Sequence, residues 1–308
     1  MGLFDGKVAV VTGAGRGVGR AEAMLLAEEG AKVVVNDLGG TADGKGSDAS
    51  VASVVANEIK EAGGAAVADF SDISVLDGVD TLMWTALSKF GKLDILINNA
   101  GILRDRTLLN MQEADWDIVM RVHAKGTYLC TRAGARIMRT QGTGGVIINT
   151  TSVSGLCGNF GQSNYGAAKL AIYGITKIAA MELARYGIRV NCVSPSGFTR
   201  LVATIPGAEN RAKEGEKLEE VSSVLPTARL AVYLASELAK DLTGRVMASH
   251  GGIKGNKISE FKMAVSEGVE KDGGMFTIDE IAQNIDKILS PLPDLPMSAG
   301  AYVPREER

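Results

Sequence analysis

Seven short runs rich in Val, Ile, Leu and Ala recur along the chain, at residues 8–12, 32–36, 65–69, 93–98, 146–151, 189–193 and 245–249. Each is apolar almost throughout, the pattern of a strand buried on both faces. Between them lie stretches of helical period and length, at 20–29, 50–62, 76–90, 114–140, 165–186 and 227–239. Buried strands alternating with helices predict an α/β fold. With right-handed crossovers this becomes a Rossmann-type doubly wound parallel sheet of about seven strands, helices on both faces. No internal repeat interrupts the alternation.

Two regions depart from it. Residues 200–226 are charged and poorly periodic, and they follow a strand whose carboxyl end faces the ligand in such sheets, which predicts a substrate lid rather than a solvated connection. From Gly251 onward the chain runs on past the last of the seven strands. There Thr277 and Glu280 have capping-box spacing, and a Pro-rich stretch at 290–296 stops regular structure. The expected organisation is a dinucleotide-binding domain over 1–255 and a C-terminal extension over 256–308, packed on the core or a neighbouring subunit.

Composition narrows the class. Hydrophobic residues make up 45% and charged residues 22%, the balance of a globular protein with a full core. The net charge of −3 speaks against nucleic acid as a partner. Cys130, Cys157 and Cys192 form no disulfide framework, and His123 and His250 are too few for a metal cluster, so no metal is expected. No apolar run reaches spanning length, the N-terminus lacks a signal peptide, and the last residues are not of the Ser-Lys-Leu type. The expected location is the cytoplasm.

Glycine is in surplus, 38 residues where average usage gives about 22. Part of that surplus follows the first strand, in Thr12-Gly13-Ala14-Gly15-Arg16-Gly17-Val18-Gly19. Such a loop turns a strand sharply into a helix and lets backbone N–H groups approach a pyrophosphate; taken alone, it also reads as a tight turn. The second strand then runs into Asp37, which is either an ordinary strand-end acid or the acceptor for both adenosine ribose hydroxyls. An acid there repels a 2′-phosphate, so NAD is expected rather than NADP.

The loop's T-G-x-x-x-G-x-G form resembles that of the short-chain dehydrogenase/reductase family. Asn98-Asn99-Ala100-Gly101 closes the fourth strand as in that family, Ser152 closes the fifth, and Tyr165 and Lys169 follow as Tyr-x-x-x-Lys. The resemblance covers about residues 5–255. The stretches NNAGILRDR, DWDIVMRVHAKG and GNFGQSNYGAAK look like one branch, the (3R)-hydroxyacyl-CoA dehydrogenase domain of peroxisomal multifunctional enzyme type 2 and its stand-alone bacterial relatives. The chain has no room for that enzyme's hydratase or sterol-carrier domains, so a free-standing form is expected.

The resemblance implies a cofactor site of Gly13, Arg16, Gly17, Val18, Gly19, Asp37, Asp72, Ile73, Asn99, Ala100, Gly101, Tyr165, Lys169, Pro195 and Thr199. Ser196 stands where relatives have Gly. It implies a catalytic set of Ser152, Tyr165, Lys169 and His123. A free phenol ionises near pH 10; Lys169, one turn from Tyr165, is expected to bring it toward working pH, while Ser152 holds the substrate oxygen. His123 stands where most of the wider family has Asn, and reads either as part of a proton relay or as a helix histidine satisfied by backbone. Arg104 and Arg106 read as solvated loop residues before coenzyme A contacts.

The implied activity is NAD-dependent interconversion of (3R)-hydroxyacyl-CoA and 3-oxoacyl-CoA in fatty-acid or sterol side-chain β-oxidation; the alternatives are dehydrogenation of steroid (17β-hydroxysteroid type) or other secondary alcohols and, further off, 3-oxoacyl-acyl-carrier-protein reduction. Outside the enzyme class the fold also serves dinucleotide-sensing scaffolds. A homodimer or homotetramer built on the 114–140 and 165–186 helices is implied as well.

Overall fold

The computed structural model describes residues 2–195, 220–252, 255–262, 269 and 278–288. An eight-stranded sheet in the order β3-β2-β1-β4-β5-β6-β7-β8 forms the centre. Its strands are β1 (Val8–Thr12), β2 (Lys32–Asn36), β3 (Ala65–Asp69), β4 (Ile95–Asn98), β5 (Gly145–Thr150), β6 (Ile188–Ser194), β7 (Val246–Gly252) and β8 (Gly255–Glu260). β1 to β7 pair in parallel, and β8 returns antiparallel to β7.

The strand pattern is continuous because side chains alternate between two buried layers. Ala9 and Val11 of β1 face one core, with Leu26, Val55 and Leu230; Val10 faces the other, with Leu82, Leu129 and Met138. The first layer belongs to α1 (Gly17–Glu28), α2 (Ser50–Glu61) and the long helix Glu220–Ala235. The second belongs to α3 (Leu76–Phe90), α5 (Gly126–Gln141) and α7 (Ser163–Leu183), while α4 (Glu113–Met120) packs on α7 through Val119 and Ala168. A short α6 (Val153–Cys157) precedes α7.

Four features differ from the sequence reading. The eighth strand is polar (GNKISE) and lies at the sheet edge, where no buried run is needed. The single helix expected over 114–140 is three pieces, because a π turn at Arg121–Lys125 separates α4 from α5. Residues 220–226 of the expected lid are the opening turns of the Glu220–Ala235 helix, with Pro226 inside it; the rest of that segment lies outside the described residues, as does Thr277. Pairing in β4 begins at Ile95, because the Leu93 N–H and C=O are taken by the Gln141 side chain.

The chain leaves β1 for β2 and β3 on one side and β4 on the other, so a crevice opens between the carboxyl ends of β1 and β4. Ligands of open α/β sheets lie at such a switch point.

Candidate active site

A cavity of about 870 Å³ runs along those carboxyl ends, from Asp37 and the glycine loop at one end to Tyr165 at the other. Two asparagines explain how the strand ends are held. Asn99 Nδ2 donates to the carbonyls of Thr12 and Gly13, both at 3.0 Å, while Thr12 Oγ1 accepts from the N–H groups of Asn99 and Ala100. A Cβ on Gly13 would lie 2.6 Å from Ala100 Cα, and one on Gly19 would strike the Asn99 amide. These two glycines therefore serve the close approach of one strand end to another, a need that the pyrophosphate argument did not foresee.

Asn98 points to the other face. Its Nδ2 donates to Asn149 Oδ1 at 2.8 Å, and Asn149 Nδ2 donates to Thr176 Oγ1 at 2.9 Å. This buried chain of amides ties β4 through β5 to the middle of α7, the helix that carries Tyr165 and Lys169.

At one end of the cavity, Asp37 Oδ2 accepts from Gly15 N–H at 2.9 Å and Oδ1 from Gly39 N–H at 2.7 Å. The carboxylate thus fixes the glycine loop and the start of the 39–48 insertion together. α1 has Arg16 at its N-cap position and no side-chain cap, so its first N–H groups are left for an anion at the cavity wall. Asp72 Oδ1 accepts from Ser74 N–H at 2.8 Å, shaping the turn that brings Ile73 to the cavity.

At the opposite end, Tyr165 and Lys169 sit one turn apart on α7, and Ser152 caps α6, its hydroxyl accepting from Ser154 N–H. Lys169 is 3% exposed and donates from Nζ to the Thr150 carbonyl at 2.7 Å. Burial lowers its ammonium to about 8. Burial also pushes the Tyr165 phenol up to about 12; the Ser152 hydroxyl draws it back and the charge of Asp105 raises it further.

The Lys169 ammonium acts against this burial from the same helix. Its Nζ lies 5.5 Å from the centroid of the phenol ring and is held by a carbonyl, while desolvation of a phenolate is the larger effect.

His123 lies in the π turn and is 1% exposed. Its ring stands edge-on to Tyr165, and its Nε2 is 2.8 Å from the Ile102 carbonyl oxygen and 2.9 Å from the Ile102 nitrogen. One tautomer donates to the first; the other accepts from the second. Nδ1 is buried without a partner among the described residues. Burial, then the Lys169 charge, lowers the imidazole to about 3, so it is neutral in the working range.

The cavity brings together Ser152, Tyr165, Lys169 and His123 with Gly13, Arg16, Gly17, Val18, Asp37, Asp72, Ile73, Asn99, Ala100, Gly101 and Pro195. Gly19 lies behind its wall, and Thr199 lies outside the described residues. Arg104 is not a free cation: it pairs with Asp115 at 3.2 Å and donates to the Asp43 carbonyl. The sequence reading missed Gln162, which is buried at the cavity wall beside Tyr165. Among the described residues no cluster of three or more His, Cys, Asp or Glu could hold a metal, and no helix is long and apolar enough to cross a membrane.

Comparison with known proteins places the chain. The short chain dehydrogenase family model matches residues 7–205. Over 202 residues the chain is 50% identical to peroxisomal multifunctional enzyme type 2 of Drosophila melanogaster, covering 66% of this chain and 33% of that protein. The chain thus spans about a third of that relative's length. It is 40% identical over 261 residues to hydroxyacyl-CoA dehydrogenase ChsB1 of Mycobacterium tuberculosis, covering 80% of this chain and 78% of that one. Among solved structures, a 7α-hydroxysteroid dehydrogenase complexed with NADH and 7-oxo glycochenodeoxycholic acid superposes with a TM-score of 0.71 at 30% identity, over 81% of this chain and 94% of the other.

Proposed function

The chain belongs to the short-chain dehydrogenase family, and on that premise we propose that it interconverts (3R)-hydroxyacyl-CoA and 3-oxoacyl-CoA thioesters with NAD as cofactor. The observation that carries this reading is the single cavity lined by Asp37 at one end and by Ser152, Tyr165 and Lys169 at the other. The likeness to ChsB1 over most of both chains supports the substrate class.

The residues present fit a dinucleotide. The uncapped first turn of α1 would take the pyrophosphate, and Asp37, whose oxygens already accept two backbone N–H groups, would take the ribose hydroxyls and repel a 2′-phosphate. Lys169 would hold the nicotinamide ribose. When bound, NAD supplies the hydride acceptor for the carbon that bears the substrate hydroxyl.

The proton is the protein's concern. Ser152 and Tyr165 would hold the substrate oxygen between them. In reduction Tyr165 donates its proton to that oxygen, a role suited to a phenol kept protonated by burial. In oxidation it must accept one, and the added positive charge beside it, with Lys169, lowers the phenol when the site is filled.

A second reading, oxidation of steroid or other secondary alcohols, is favoured by the likeness to the 7α-hydroxysteroid dehydrogenase structure. A panel of (3R)- and (3S)-hydroxyacyl-CoA esters and steroid alcohols, scored by NADH formation, separates the two. Turnover of (3R)-thioesters with NAD is expected; turnover of steroid alcohols alone would overturn the thioester reading.

We place the protein in a reducing, cytoplasmic setting, in keeping with its free cysteines Cys130, Cys157 and Cys192. The exposed Tyr128 on α5 and Leu170, Ile178 and Met181 on α7 support a homo-oligomer joined through those helices. Residues 1–255 would act as the dinucleotide-binding domain, with 256–308 as an extension packed on it or on a neighbouring subunit.

A further inference from the structure

The loop after β4 is stitched to the residues that lead into Tyr165. The Arg104 carbonyl accepts from Asn164 Nδ2 at 2.9 Å, Asp105 Oδ2 accepts from Gln162 Nε2 at 2.7 Å, and Arg106 N–H donates to the Gly161 carbonyl at 2.9 Å. Arg104 and Arg106 make their stitches with backbone groups. The central stitch uses a carboxylate, and a neutral amide oxygen could accept the same bond.

Asp105 also has an oxygen left over. Its Oδ1 is buried and has no hydrogen-bond partner among the described residues. Neither flanking guanidinium neutralises it: Arg104 is paired with Asp115, and Arg106 reaches only the Asp105 carbonyl, at 3.5 Å. Gln162 is clamped at both ends of its amide, since its Oε1 accepts from Asn159 Nδ2 at 2.9 Å.

We propose that Asp105 is a positioning residue for proton transfer, fixing Gln162 at the cavity wall and, by its charge, setting the pH range in which Tyr165 exchanges its proton. This rests on Tyr165 being the proton-transfer group. The titratable groups that face Tyr165 come from three elements. Lys169 lies on its own helix, His123 on the π turn, and Asp105 on the loop after β4, bonded to Gln162 three positions before Tyr165. His123 is uncharged in the working range, so Lys169 and Asp105 are the opposed pair. Burial is the main reason the phenol stays protonated, and the negative charge of Asp105 adds to it; burial raises the Asp105 carboxyl too, while its Gln162 bond favours the charged form.

Asp105→Asn tests this, because the amide oxygen can still accept from Gln162 while the charge is gone. Phenolate absorbance is titrated with and without NAD, and Tyr165 is isolated by subtracting the matching Tyr165→Phe protein. The alkaline limb of the pH–rate profile for thioester reduction, in which Tyr165 must hold its proton, is measured beside it. Titration and limb are both expected to move to lower pH by about half a unit or more, with the thermal midpoint retained. An unmoved phenolate titration would overturn the proposal. Asp105→Ser, also uncharged, is read in the same way, so misfolding of one variant leaves the other to decide. The titration without NAD needs no substrate. Lack of turnover on every thioester would therefore count against the assigned reaction, while the titration still decides on Asp105.

Discussion

The His123 ring meets the Tyr165 ring edge-on, with centroids 5.2 Å apart and planes at 89°. This contact and the Ile102 bond fix the imidazole on both sides, and Gly101 leaves the space it fills, since a Cβ there would run into the ring. A neutral ring held this way supports Tyr165 without titrating. His123→Asn is expected to keep the pH–rate limbs of the parent protein above pH ~5. A limb displaced by about one unit would instead show that His123 changes charge during turnover.

Tyr165→Phe removes the hydroxyl and little else. Turnover is expected to fall by roughly 10³-fold or more, while NADH binding, followed by fluorescence, stays within about twofold. Near-normal turnover would remove Tyr165 from the proton-transfer role.

Asp37→Ala removes a carboxylate that binds both Gly15 and Gly39. The KM for NAD is expected to rise about tenfold or more, as the glycine loop loses its anchor. Preference for NAD over NADP should fall by a similar factor once the like charge is gone. An unchanged cofactor ratio would show that Asp37 does not read the ribose.

Much of this site was legible in the sequence, and what escaped had physical reasons. The strands β1, β2 and β3 and the helix Leu76–Phe90 could be read to the residue, because an unbroken apolar run or one strong stripe set their limits. Ser152, Tyr165 and Lys169 came from the family resemblance, and the fold gathers them at one end of the cavity. Asp105 and Gln162 were missed, because their bond spans 57 positions and neither stands in a periodic pattern. The Asn98–Asn149–Thr176 chain escaped for the same reason: amides at strand ends look like turn formers until the strands are paired.

That chain makes its own prediction. Asn149→Leu would leave both Asn98 and Thr176 with buried polar groups stripped of a partner. A loss of about 2–3 kcal/mol in urea unfolding is expected, with a larger effect on kcat than on the KM for NAD, since α7 is the helix released.

Glu22 sits on α1 with no exposure, and neither carboxylate oxygen has a partner among the described residues. Burial raises it from 4.5 to about 8. The folded protein therefore holds a proton that the unfolded chain releases, so this group's contribution is greatest below about pH 4.5 and is lost as pH rises toward 8. Between pH ~6 and ~9 the parent protein is expected to lose about 2–3 kcal/mol relative to Glu22→Gln. Parallel urea curves at the two pH values would show the carboxyl to be ionised throughout.

The π turn at Arg121–Lys125 carries a consequence for helical phase. A wide turn of this kind takes in one residue more than an α-helix does, and one residue is about 100° of rotation. The wide turn absorbs that residue, so α4 and α5 keep their phase; in a smooth helix of the same length α5 would be turned by that angle. Leu129, Cys130 and Met138 would then swing off the sheet they cover. The wide turn therefore gives the site one residue more without rotating the helix that follows, and a single deletion there would remove that position while leaving the face of α5 in place.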